Sequence, residues 1–99
     1  MNALEHAASM MRVLAHPHRL RICELLRSGD LSVGALAEEL GLPPAAVSQH
    51  LAILRAHGVL APRRSGKIVY YRVIHPTPCW LLSCIRRHAG RRREGAMDG

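Results

Sequence analysis

No stretch of this 99-residue chain approaches the roughly 20 consecutive apolar residues that a bilayer-spanning helix needs. The amino terminus also lacks a basic segment followed by an apolar block, the mark of a secretory leader. A soluble, cytoplasmic protein with no membrane partner is therefore expected. Carboxylates are scarce: 7 Asp and Glu stand against 14 Lys and Arg, a formal net charge of +7. Those before the carboxy-terminal tail are Glu5, Glu24, Asp30, Glu38 and Glu39, and none falls between Leu42 and Val73. There is no nucleophile beside a base, no phosphate-cradling glycine loop and no carboxylate pair flanked by histidine, so no enzyme is expected. Three cysteines, an odd number without an export signal, argue against a disulfide framework. Cys23, Cys79 and Cys84 are left as free thiols, metal ligands or a redox pair.

The length fits one domain, and so small a chain gains stability by associating with itself. No repeat or low-complexity block interrupts it. The excess of positive charge points to a polyanion, nucleic acid before membrane, although a solvated basic face gives the same charge.

Apolar periodicity and caps place five helices. The first covers Ala3 to Ala15 behind Asn2, with Leu4, Ala7, Ala8, Met11 and Leu14 at three- and four-residue spacing. The second runs from Pro17 to Arg27 with Leu20, Cys23 and Leu26 inward, and His16 caps it. Ser32 caps the third, whose inward residues are Val33, Leu36, Ala37 and Leu40, and Gly41 ends it through a left-handed conformation. Pro43-Pro44 opens the fourth, which stops before Gly58. Val59 to Arg64 and Lys67 to Val73 read as two strands joined by Ser65-Gly66. Thr77 and Pro78 begin a fifth helix that fades near Gly90. A domain over 1–90 and a disordered basic tail over 91–99 follow.

On the fourth helix, Leu51 and Leu54 fall within about 40° of Val47 at 100° per residue, a core stripe. Gln49, Ala52 and Ala56 lie opposite, with Ala45 close by, Ser48 at the border and His50 at the edge of the core stripe. A helix that approaches phosphates closely should be small, polar and free of carboxylates on that face. Gln reads adenine edges, Ser donates to a base or a phosphate, and an Ala methyl meets the thymine methyl. Arg63, Arg64 and Lys67 cluster at the hairpin turn, with Arg72 further along, and such a tip enters a minor groove or binds flanking phosphates. Each feature alone is as well explained by solvated surface. Their conjunction in this order is the more specific signal, and double-stranded DNA is the expected partner.

The stretches LAHPHRLRICELL, LSVGALAEELGL, VSQHLAILRAHGVL and GKIVYYRV together resemble the ArsR/SmtB family of bacterial winged-helix repressors, over roughly Leu14 to His88. The resemblance implies a mostly α winged helix-turn-helix fold of about five helices plus a two-stranded wing. It implies a homodimer built from the first and last helices, with two recognition helices in successive major grooves of an inverted repeat. Ser48, Gln49 and His50 match the family's base- and backbone-contacting positions, and Arg63, Arg64 and Lys67 fall in the wing. Ser32 and Ala45 complete the DNA-facing set.

Family members release DNA when a metal, metalloid or thiol-reactive species binds. Their third-helix Cys-Val-Cys site corresponds here to Leu31-Ser32-Val33-Gly34, which has no thiolate. Of the four Asp and His positions of the last-helix site, His75 and His88 match two, while Thr77 and Arg91 replace the others. A thiophilic metalloid, a metal ion or an oxidant acting at Cys79, Cys84 and Cys23 is the remaining sensory reading, beside three inert thiols and no cofactor. Cys79 and Cys84 stand about 140° apart on one helix, so either must pair elsewhere, with Cys23 or across the dimer. Two rival readings are a ligand-independent or non-specific basic DNA-binding protein and a metal-handling protein to which DNA is incidental.

Overall fold

A computed structural model describes residues 2–98, with side chains described through Ala89. The element order is α1 (Ala3–Leu14), α2 (Pro17–Leu26), β1 (Leu31–Ser32), α3 (Val33–Leu40), α4 (Pro44–Ala56), β2 (Leu60–Ser65), β3 (Ile68–Val73) and α5 (Pro76–Asp98). This is a winged helix-turn-helix, mostly α, with the five expected helices. α5 runs to Asp98, past the end near Gly90 expected for the fifth helix, and the side chains of the tail expected over 91–99 lie outside the described residues.

Local chemistry accounts for the helix ends. Asn2 accepts the Glu5 amide at 2.8 Å and opens α1. His16 Nδ1 accepts the His18 amide at 3.1 Å, and Pro17 fills the first position of α2, where no amide is needed. The same His-Pro device recurs before α5: His75 Nδ1 accepts the Thr77 amide at 3.1 Å. The fifth helix therefore starts at Pro76 behind a histidine cap, not at Pro78 behind Thr77. Gly41 takes φ 65°, and the Leu42 amide returns to the Ala37 carbonyl at 3.1 Å, closing α3 and setting the turn into α4.

The sheet has three strands in the order β1-β3-β2, one more than the expected two-stranded wing. Leu31 pairs with Tyr71 and Ser32 with Tyr70, both antiparallel. The pairing is only two residues long, and no alternation of sequence marks it. In the hairpin, Ser65 pairs with Ile68, so the turn residues are Gly66 and Lys67, one place later than expected. Gly66 has φ 62° while no non-glycine residue among those described has positive φ, the pattern of a type II′ turn, which suits the twist of paired strands.

Leu14, Ile22, Cys23, Leu36, Val47, Leu51, Leu54, Val59 and Leu60 form the centre of the core, and α5 contributes Leu82. No polar or charged residue is buried among the described residues. α1 meets this core through Met10, Val13 and Leu14. Leu4, Ala7, Ala8 and Met11 of its expected stripe remain exposed, Leu4 at 82%. α5 leaves Trp80 65% exposed and Ile85 exposed. Glu24 of α2 accepts from Arg21 and from Arg86, an ion pair that ties α2 to α5.

Candidate nucleic-acid interface

Helix α4 is held by Val47, Leu51 and Leu54, which are fully buried. That fixes its rotation and turns Ala45, Ser48, Gln49, Ala52 and Ala56 to the surface, as their spacing requires. Arg55 is exposed on the same helix, and with Ser48, Ala52 and Tyr71 it lines a shallow groove between α4 and β3. Arg55 went unremarked in the sequence, although it is seven residues after Ser48 and on the same stripe.

The helix start offers few amides. Pro43 and Pro44 have none, and the Ala46 and Val47 amides both go to the Pro43 carbonyl, at 3.0 and 3.2 Å. At most the Ala45 amide is left for a phosphate.

His50 separates from its neighbours. Its ring is half-buried and packs against His16 and His18, with centroids 4.6 and 5.6 Å away. Its Nδ1 is buried and without a hydrogen-bond partner. Burial, then the neighbouring His16, Arg19 and His18, holds His50 below the usual histidine range. The structure thus turns His50 towards α2, away from the face of Ser48 and Gln49. Ser32 has its hydroxyl engaged as the cap of α3, accepting the Ala35 amide at 3.2 Å, and its backbone in the β1–β3 pairing.

The wing cations are not equivalent. Arg63 donates through Nε to Asp30 at 3.0 Å, and its guanidinium stands 5.1 Å from the Tyr70 ring centroid. It is a strut between the hairpin and the α2–β1 loop. Arg64 lies two pairs from the turn, opposite Val69, and Lys67 is in the turn itself; both are exposed. Arg72 is exposed at the other end of β3. Together these residues form a small polar helix face beside an exposed basic hairpin, with no carboxylate between Leu42 and Val73 in the sequence.

A family model described as a helix-turn-helix domain matches residues 14–63. The chain is 43% identical over 87 residues to the HTH-type transcriptional repressor SmtB of Mycobacterium tuberculosis, covering 88% of this chain and 64% of that protein. The chain belongs to the ArsR/SmtB family. It is a winged helix-turn-helix transcriptional regulator of the repressor type, in a DNA-binding and non-enzymatic family. It is also 42% identical over 81 residues to the uncharacterized HTH-type transcriptional regulator Rv0081 of Mycobacterium tuberculosis, covering 81% of this chain and 71% of that one. The crystal structure of Rv0081 matches with a TM-score of 0.81 at 36% identity, over 98% of this chain and 99% of that chain. A solution structure of a homodimeric winged helix-turn-helix domain from Mycobacterium bovis, described as a possible ArsR-family regulator, matches at 0.76 and 30% identity, over 88% and 81%. No described helix is long and apolar enough to cross a membrane.

Among the ArsR/SmtB sensory positions, His75 has one ring nitrogen occupied by its cap, and His88 lies on the exposed side of α5 beside Cys84 and Ile85. Cys23 is fully buried, whereas Cys79 and Cys84 are half-buried. Burial pushes the Cys23 thiol up to about 12, and the neighbouring Cys79 thiol adds to the rise. Cys84 lies 3.9 Å from the Arg87 guanidinium.

Proposed function

We propose that this chain binds an inverted-repeat operator as a homodimer and leaves it when its Cys23–Cys79 thiol pair is modified. The observation that carries the reading is the exposed, carboxylate-free face of α4 set beside the basic hairpin. Ser48 and Gln49, with Ala45, meet base edges in the major groove. Arg64 and Lys67 contact flanking phosphates, Arg63 braces the wing, and Ser32 sits at the start of α3 behind them. Two copies place two recognition helices one helical turn of DNA apart, about 34–36 Å.

The dimer uses the apolar surface that the single chain leaves open: Leu4, Ala7, Ala8 and Met11 on α1 with Trp80 and Ile85 on α5. An exposed stripe of this kind on a small domain marks an association surface, and the homodimeric relative supports the assignment.

Of this pair, Cys79 is the thiol that reagents reach first. A peroxide converts it to a sulfenic acid, the peroxide leaving as water or alcohol, and the Cys23 thiol then displaces that hydroxyl as water to close a disulfide. A thiophilic metalloid bridging the same two sulfurs is the alternative modifier, with Cys84 outside the pair.

Fluorescence anisotropy on the DNA upstream of the protein's own coding sequence tests the whole reading. The reduced, metal-free dimer should bind that DNA well above random duplex. Peroxide or arsenite should release it, and Cys79→Ser should abolish release while Cys84→Ser does not. Equal affinity for random duplex refutes the operator assignment and leaves a non-specific basic protein. Release that survives Cys79→Ser refutes the thiol site.

A further inference from the structure

His16, His18 and His50 each offer a ring nitrogen, and the three atoms lie within 4.8 Å of one another. We propose that these residues bind one divalent transition-metal ion, a site that joins the start of α2 to recognition helix α4. The donor set is three imidazole nitrogens and no carboxylate. Such a set suits Zn2+, Ni2+, Cu2+ or Co2+ and not Mg2+ or Ca2+, which take oxygen ligands.

The geometry is close to, but wider than, a loaded site. Ligand nitrogens around a tetrahedral ion at about 2.0–2.1 Å stand about 3.4 Å apart, so the rings must draw in from 4.8 Å at the widest. Side-chain rotation supplies this, because the ring centroids already stand 4.6, 5.4 and 5.6 Å apart. Three protein ligands leave at least one position for water, which describes an exchangeable ion rather than a closed structural one.

One further observation favours a ligand here. His50 Nδ1 is buried without a hydrogen-bond partner, a cost that a metal bond would remove. Arg19 lies near His50, and its charge opposes any cation. It therefore favours ions whose bond to imidazole is strong over ions held by charge alone.

Binding has a built-in structural consequence. His16 Nδ1 now accepts the His18 amide, so the neutral ring carries its proton on Nε2. If the ion takes Nδ1, the cap is displaced directly. If it takes Nε2, the proton must move to Nδ1, which can then no longer accept. Either way the ion exchanges the N-cap of α2 for a cross-link to α4, one residue from Gln49. The metal site stands whether or not the operator reading does. Its coupling to DNA, by linkage, must be equal in both directions.

The test is Co2+ titration of the reduced protein followed by visible absorption, with a parallel titration by diamagnetic Zn2+ followed by 1H–15N correlation of histidine ring nitrogens. One ion per chain should bind, with ligand-field bands but no thiolate charge-transfer band. The ring signals of His16, His18 and His50 should shift, while those of His6, His57, His75 and His88 stay in place. His18→Gln should weaken binding at least tenfold. His16→Asn should do the same while keeping an N-cap acceptor for α2, so a loss of binding there is not a loss of fold. A thiolate band, shifts confined to His75 and His88, or unchanged affinity in both variants overturns the proposal.

Discussion

Lys67→Ala tests the wing quantitatively. Lys67 follows Gly66 in the hairpin turn and is exposed, and the positive φ of the turn belongs to Gly66. Replacing Lys67 should therefore remove a charge without disturbing the strands. Each phosphate neutralised by a cation contributes about −0.9 to the slope of log K against log salt. A homodimer presents two wings, so the substitution should flatten the slope by about 1.8. Between about 50 and 200 mM salt, a fourfold change, that difference amounts to about a 12-fold smaller loss of affinity for the variant.

Anisotropy titrations at four salt concentrations measure both slopes, on operator and on random duplex, and both should flatten alike because a phosphate carries no sequence. Arg63→Ala is the internal control. Its guanidinium is already paired with Asp30 at 3.0 Å, so it should flatten the slope by less than Lys67→Ala. An unchanged slope in Lys67→Ala would refute the placement of the wing against phosphates. An equal effect from Arg63→Ala would show that Asp30 does not hold that arginine in the complex.

Gln49→Ala should act on sequence rather than salt. A bidentate base contact is worth about 1–3 kcal/mol, so the operator-to-random ratio should fall about 5- to 150-fold per half-site, and an intact ratio would remove Gln49 from the reading set. Cys23 should resist alkylation in the folded protein. With its thiol pushed up to about 12, only about one part in 10,000 is thiolate near pH 8, so iodoacetamide should label Cys79 and Cys84 first and Cys23 only on unfolding, as peptide mass mapping would reveal. Glu24→Gln should blunt acid sensitivity. The hydrogen bonds from Arg86 and then Arg21 lower the Glu24 pKa from its ordinary value of 4.5. Its contribution is therefore present above about pH 4.5 and lost as pH falls through the lowered value. All three side chains are partly solvated, which limits the loss at neutral pH to at most about 1 kcal/mol. Thermal melts from pH 7 to pH 3 should show the variant slightly less stable at neutral pH and declining less steeply below pH 4.5.

The helices were legible because their signals are local and redundant. Gly41, Pro17 and the Val47–Leu51–Leu54 stripe each state a boundary or a face within a few residues, and tertiary packing agrees with them. Legibility failed where the deciding partner is distant or weakly marked. β1 is two residues long, shorter than any periodicity can show, and exists because β3 offers Tyr70 and Tyr71 as partners for Ser32 and Leu31. The α1 stripe of Leu4, Ala7, Ala8 and Met11 gave the helix correctly but not the direction in which it faces. Helical spacing reports an apolar face without saying whether this chain or another covers it, and here Met10, Val13 and Leu14 meet the core.

The histidines show the same limit most sharply. His16 could be read as a cap because its acceptor and Pro17 are neighbours in sequence. Its meeting with His50 spans the whole of the second and third helices, and the spacing of His16, His18 and His50 matches no ligand motif. On a helical wheel, His50 lies at the edge of the core stripe, where the angle allows either the DNA face or the seam with α2. What turns it inward is the burial of Val47, Leu51 and Leu54, which fixes the rotation of α4 against the core. A wheel gives angles relative to the helix. Only packing gives the angle of the helix relative to the protein, and that second angle decides whether His50 meets a phosphate or its two fellow histidines.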